Sequence, residues 1–175
     1  EETDSVIPND AQGVEEAIRH LVSLGHRRIA YVNTPFAERI IDIRSVRVRQ
    51  AAYIKTLAER GLQAPAGSDQ YVPVKQRLDD LLANDPPTAL VCFDDAIAQR
   101  VVRVLHQMGR RVPQDVNVVG IDDLPDQAFA LSDLTTIHVP FQEMGRHAVE
   151  LLRKRMADPD RPVERMTLPE RLVVR

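Results

Sequence analysis

Between Val116 and Ile121 the chain reads VNVVGI, and its apolar residues do not simply alternate with polar ones. A strand of that kind is buried on both faces, which places it inside a parallel sheet covered by helices. Thr88 to Phe93, TALVCF, is a second such run. The earlier run ends in Asp94 and Asp95, the later one in Asp122 and Asp123. Acidic side chains therefore stand where the backbone leaves the sheet, the edge at which open α/β sheets bind ligands.

Helical patterns separate these strands. Residues 1–13, EETDSVIPNDAQG, are acidic and turn-rich and read as an entry segment with no regular element before Val14. Val14, Ala17, Ile18 and Leu21 recur at helical spacing, Gly25 follows as a left-handed cap, and Ile29 to Val32 is the next strand. Residues 33–44 have no clean period and read as a ligand-facing loop. Ser45 can cap a helix whose core stripe is Val46, Gln50, Tyr53, Ile54 and Leu57, with Gly61 as its stop. A weak strand around Gln70 to Val72 and a short helix carrying Leu78, Leu81 and Leu82 come next. Asp94 or Asp95 caps a helix with Ile97, Val101, Leu105 and Met108 on its core face. After the VNVVGI strand come a strand from Leu134 to His138 and a long amphipathic helix opened by Pro140, with Phe141, Met144, Ala148, Leu151, Leu152 and Met156 on one side. Short strands at Arg165 to Leu168 and Leu172 to Val174 close the chain. The alternation of helix and strand predicts an α/β fold, a parallel sheet wound with right-handed crossovers.

Composition narrows the function. With 175 residues the chain can build one domain with a substantial core, or two small lobes. A net charge of -3 gives it no electrostatic footprint for nucleic acid. No apolar run reaches the length of a membrane span and no basic-then-apolar leader opens the chain, so a soluble protein without membrane partners is expected. The single Cys92 cannot form an internal disulfide, which fits a reducing compartment and also a periplasmic protein without bridges, and it reads as a small core residue. There is no G-x-G-x-x-G, no Walker loop, no H-E-x-x-H and no cysteine pair, so no cofactor is expected.

The acidic pairs admit two chemistries. If their strands are neighbours, Asp94, Asp95, Asp122 and Asp123 could converge and hold Mg²⁺, as a phosphoryl-transfer enzyme requires. Alternatively Asp95 is a helix cap, Asp123 a turn former, and Asp94 and Asp122 accept hydrogen bonds from the hydroxyls of a neutral ligand. Arg44, Arg47 and Arg49 stand near the same edge, on a face that either meets solvent or touches the ligand.

Five segments, GHRRIAYV at 25–32, RVRQAAY at 47–53, ALVCFDDAIA at 89–98, RRVPQDVNVVGIDD at 110–123 and LTTIHVPFQEMGRHAVELL at 134–152, closely resemble, in order and spacing, the LacI/GalR family of bacterial transcription regulators. The resemblance covers nearly the whole chain from about Asp10 onward. It implies a Rossmann-like lobe of a periplasmic-binding-protein-like type I fold: two α/β lobes around a cleft, of which this chain is the latter part and lacks most of the first lobe. It implies an entry segment at 1–13, a C-terminal effector-binding lobe at 14–138, and a crossing helix with closing strands at 139–175. An N-terminal DNA-binding domain absent from this chain would reach operator DNA. By the same resemblance Arg49 matches an arginine that clamps an effector hydroxyl or carboxylate, and Asp122 a ligand-contacting aspartate. Asp94 stands where many sugar-responsive members have asparagine, and Phe93 forms the apolar wall. The family implies a cytoplasmic, homodimeric repressor, not an enzyme, that senses a small sugar, polyol or purine-like effector; the helix from Ala96 to Met108 either contributes to the dimer or turns Arg100, Arg103 and Gln107 to solvent as an ordinary polar face. A periplasmic sugar-binding protein of a transporter is the alternative within the same fold. Val139 departs from the glutamine of some members, and Asp94 adds a negative charge that disfavours an anionic effector unless Arg49 offsets it.

Overall fold

The computed structural model describes residues 3–33, 44–66, 72–83, 86–124 and 133–175. In chain order the elements are β1 (Ser5–Pro8), α1 (Asp10–Ser23), β2 (Ile29–Val32), α2 (Arg44–Glu59), α3 (Val74–Ala83), β3 (Ala89–Cys92), α4 (Asp95–Gln107), β4 (Asn117–Asp122), β5 (Thr135–His138), α5 (Phe141–Ala157), β6 (Arg165–Leu168) and β7 (Arg171–Val173). Five strands make the main sheet in the order β2-β3-β4-β5-β7. The first four run parallel, and β7 joins β5 antiparallel. Every residue of β2 and β3 is buried, as the unbroken apolar runs require. The edge strand β7 is only partly buried.

Helices cover this sheet by their apolar stripes. Val14, Ala17, Ile18 and Leu21 of α1 are sealed in the core, as are Ile97, Val101 and Leu105 of α4. Tyr53 of α2 stacks on Tyr31 of β2 with ring centroids 5.4 Å apart, and its hydroxyl donates to the Ile29 carbonyl at 2.9 Å. Such an aromatic pair contributes about 0.5–1.5 kcal/mol beyond its area.

A second, two-stranded parallel sheet pairs β1 with β6, and α5 packs on it through the buried Leu151. The chain passes between the two sheets three times: at Asn9 from β1 to α1, at Val139-Pro140 from β5 to α5, and at Pro169-Glu170 from β6 to β7.

Several expectations need correction. The entry segment holds β1, and α1 begins at Asp10 rather than Val14, because Asn9 accepts from the Gln12 N–H and β1 finds its partner in the distant β6. Ser45 lies inside α2 and is not its cap. The buried face of α2 carries Arg49, Ala52 and Thr56, while Gln50 is half-buried and Ile54 exposed. On α4, Met108 is exposed, and on α5 so are Phe141, Leu152 and Met156. The last strand is Arg171–Val173, one residue earlier than expected. Val72 is not in a strand, and Gln70 lies outside the described residues, as do 34–43 of the irregular loop.

Candidate functional site

Strands β3 and β4 are parallel neighbours, so their carboxyl ends bring Asp94 and Asp122 to one edge. Asp94 leaves β3 in extended backbone, φ -146° and ψ 173°, and its carboxylate accepts the Ile97 N–H at 2.6 Å, capping α4. Asp122 ends β4 with φ +128°. A non-glycine residue held there stores roughly 1–3 kcal/mol of strain, a cost found most often where a side chain must be aimed.

Arg49 reaches the same edge from α2. It is 5% exposed, and its polar atoms are aimed by neighbours on three elements. Nε donates to Asp10 Oδ1 at 2.8 Å, Nη1 donates to the Phe93 carbonyl at 2.6 Å, and Nη2 stands 3.7 Å from Asp122 Oδ1. The guanidinium carbon lies 4.9 Å from the centre of the Phe93 ring, a cation–π contact. Together Arg49, Phe93, Asp94 and Asp122 line one side of an open cleft of about 390 Å³. Ile7 and Pro8 of β1, Val139 of the crossing segment and Phe141 of α5 line it from the other sheet. The four residues singled out from the sequence are thus brought to one cavity, and it lies where the chain crosses between sheets.

The cleft is electrostatically tense. Burial, joined by the like charges of Asp94, Asp95 and Asp10, pushes Asp122 up to about 7 even with Arg49 beside it. Burial likewise raises Asp94 above the usual carboxylate range, against the Ile97 N–H and Arg49. Burial opposes the charge on Arg49, but Asp10 and Asp122 outweigh it and the guanidinium is held more firmly protonated than usual.

The second carboxylate of each pair turns away. Asp95 Oδ1 accepts from the Thr136 hydroxyl at 2.6 Å and Oδ2 from the Leu124 N–H at 3.3 Å. Gly120 makes room for it, since a Cβ there would lie 2.2 Å from Asp95 Oδ1. Asp123 bonds His138 Nδ1 at 3.0 Å and Arg175 Nη2 at 2.6 Å. The convergence of all four carboxylates that a Mg²⁺ site needed does not occur, because Asp95 and Asp123 are engaged elsewhere. Among the described residues no group of three or more His, Cys, Asp or Glu side chains is placed to hold a metal ion. Of the other two arginines, Arg44 lines the cleft and Arg47 is exposed.

Two acidic residues escaped the sequence reading. Asp10, with no exposed side-chain surface, accepts from both Arg49 and Arg44, the latter at 2.9 Å. Asn9-Asp10 before an apolar helical run signals a helix start, but nothing local announces an arginine partner. Glu170 is 1% exposed at the third crossing, and among the described residues neither of its carboxyl oxygens has a hydrogen-bond partner. Burial first, then Asp10, Asp122 and Glu16, raise it to about 7 against the pull of Arg49. Gly13 makes its place, because a Cβ there would lie 1.8 Å from Glu170 Oε2.

Among the described residues larger cavities also lie elsewhere, including one of about 460 Å³ between α5 and β1 and one of about 540 Å³ near the amino ends of β4 and β5. Neither gathers buried charge as the cleft does. Among the described residues no helix is long and apolar enough to cross a membrane.

Residues 18–175 match the model of the periplasmic binding protein-like domain. The HTH-type transcriptional repressor PurR of Aliivibrio fischeri is 35% identical over 162 residues, covering 90% of this chain and 48% of the relative. The structure of a transcriptional regulator CelR–cellobiose complex superposes with a TM-score of 0.85 at 28% identity, covering 100% of this chain and 54% of that one. A LacI family transcriptional regulator from Enterococcus faecium with bound ribose gives 0.78 at 27% identity, covering 97% of this chain and 63% of that one. The chain spans about half the length of the curated relatives it matches. By this match and by its fold, the chain belongs to the periplasmic binding protein-like domain family, in the form carried by LacI-family transcriptional regulators.

Proposed function

We propose that this chain is the effector-sensing part of a LacI-type transcriptional repressor, and that Arg49, Asp94 and Asp122 hold a small hydroxylated effector against Phe93. One observation carries the reading: a buried guanidinium and a strained carboxylate stand side by side, 3.7 Å apart, on one wall of an open cleft. That spacing is too long for a direct hydrogen bond and suits a bridging hydroxyl, which can accept from one and donate to the other. The sugars in the CelR–cellobiose and ribose-bound Enterococcus structures support this class of ligand.

The position of the cleft supports a switch. Val139, Pro8 and Asp10 belong to or adjoin two of the three crossings, so an effector seated here bears on the segments that set the angle between the two sheets. Effector binding favours one angle, and a DNA-binding segment outside this chain feels the change as a population shift. The protein works in the cytoplasm as a homodimer, with α4 contributing, and performs no catalysis. Residues 14–138 act as the C-terminal lobe, and α5 with the β1–β6 sheet belongs to the first.

The test is a thermal-shift panel of neutral sugars, polyols and nucleobases on the intact protein, followed by operator binding with each hit. The reading expects at least one hit that also changes operator affinity. A panel in which no neutral compound raises the midpoint contradicts it.

A further inference from the structure

Building on that reading of the cleft, we propose that Asp10 sets the charge class of the effector: it positions and neutralises the Arg49 guanidinium, so the cleft admits uncharged hydroxylated molecules and rejects phosphorylated ones.

The geometry begins with what Arg49 has left to offer. A guanidinium grips a phosphate or carboxylate best through two parallel N–H groups on one edge. In this protein Nε is committed to Asp10 at 2.8 Å, and Nη1 donates to the Phe93 carbonyl at 2.6 Å. Nε has a single N–H, so the Nε–Nη2 edge is closed to a second anion, and the Phe93 carbonyl takes one of the two N–H groups on Nη1. Nη2 remains as a donor beside Asp122, which suits a single hydroxyl.

Charge points the same way. Asp10 is fully buried and bridges Arg49 and Arg44, so among the described residues the two cations lining the cleft are already paired with one anion. Among the described residues the other acidic side chains lining the cleft are Asp94 and Asp122, whose carboxyls burial holds toward the neutral form, so they offer an anion no compensating charge. An entering phosphate would meet two aspartates and an arginine whose charge is largely spent. Whatever share of those aspartates is ionised repels it further. Asp10 is also the first residue of α1, directly after the β1 crossing, so the group that fixes Arg49 is itself fixed to the segment that joins the sheets.

Two variants separate position from charge. Asp10→Asn keeps an oxygen that can accept from Nε but removes the negative charge, and Asp10→Ala removes both. The readout is the Arg49 Nε–H signal in ¹⁵N–¹H NMR of the intact protein, assigned by its loss in Arg49→Lys and titrated with inorganic phosphate alone. In the parent protein the signal is expected to exchange slowly with water and to be unmoved by phosphate. In Asp10→Asn phosphate is expected to bind at least about tenfold more tightly, with a saturable shift of that signal. In Asp10→Ala the signal is expected to exchange at least about tenfold faster with solvent. If Asp10→Ala fails to fold by circular dichroism, Asp10→Asn still decides the charge. Saturable phosphate binding at Arg49 in the parent protein, or no gain in Asp10→Asn, overturns the assignment. A neutral sugar that binds independently of Arg49 would instead sink the cleft reading and leave this titration standing, so the two failures are distinguishable.

Discussion

Arg49 Nη2 stops 3.7 Å short of Asp122 Oδ1, although both groups are held there at a cost: one is buried to 5% exposure and the other sits at φ +128°. Two opposite charges free to relax would close that gap. Nε and Nη1 of the arginine are anchored to Asp10 and Phe93, and the strained backbone of β4 holds the aspartate, so the gap is built in.

The first expected outcome concerns Arg49 itself. Arg49→Ala leaves Asp10 buried with only the half-exposed Arg44 as partner. Removing one partner of a buried pair costs roughly 3–5 kcal/mol, and Arg44 offsets part of that. Urea unfolding should show a loss on the order of 2–4 kcal/mol. The double variant with Asp10→Asn should be less destabilised than the two losses added together, because the stranded charge is gone.

Stability should fall as pH rises through neutrality. In the folded protein Asp122 and Glu170 both lie at about 7, above their ordinary values of 3.8 and 4.5. Between the ordinary and folded values the folded state binds more protons than the unfolded state, so stability is greatest below the ordinary value and is lost as pH passes 7. Thermal midpoints measured from pH 5 to 8 should decline, and Glu170→Gln should remove part of the decline. A flat profile, or one unchanged by that substitution, contradicts the buried, unpartnered carboxyl.

Gly13 and Glu170 provide a packing test. Gly13→Ala places a methyl 1.8 Å from Glu170 Oε2 and 2.8 Å from Ile137 Cγ2. Overpacking of this kind costs typically 1–3 kcal/mol, about 1 kcal/mol of which should return when Glu170 is also changed to alanine. Chemical denaturation of the single and double variants measures both.

The second polar centre of the sheet should matter for folding and not for the effector. Thr136→Val removes the donor to Asp95 at 2.6 Å and leaves a buried carboxylate with the backbone N–H groups of Leu124 and Asp123. A loss of about 1–3 kcal/mol in stability is expected, with effector affinity within about twofold of the parent by titration calorimetry.

How much of this could be read from residues alone depends on where the information lies. The strands β2, β3 and β4 announce themselves because burial on both faces demands an unbroken apolar run. β1 does not, since SVIP sits in an acidic stretch and becomes a strand only through β6, some 160 residues away. On α2 the apolar pattern pointed to Gln50 and Ile54, whereas the buried positions include Arg49, whose burial makes sense only once Asp10 is seen. The gathering of Arg49, Phe93, Asp94 and Asp122 followed from parallel neighbouring strands and a family resemblance. The anchoring of that group by Asp10, and the presence of Glu170 behind it, depended on contacts between residues far apart in the chain. One of the two sequence readings sets Asp95 and Asp123 apart from the ligand, but it makes Asp95 the helix cap, which is Asp94, and the partners Thr136, His138 and Arg175 lie far off in the chain.

The most direct measurement of the central claim is titration calorimetry of the intact protein with the best neutral sugar or polyol from the thermal-shift panel, repeated on Arg49→Met and Asp122→Ala. Saturable binding by the parent that weakens at least about a hundredfold in each variant is the predicted result, since each loses a hydrogen bond involving a charged group and leaves its partner unmatched. Binding that survives both substitutions within a few-fold contradicts it.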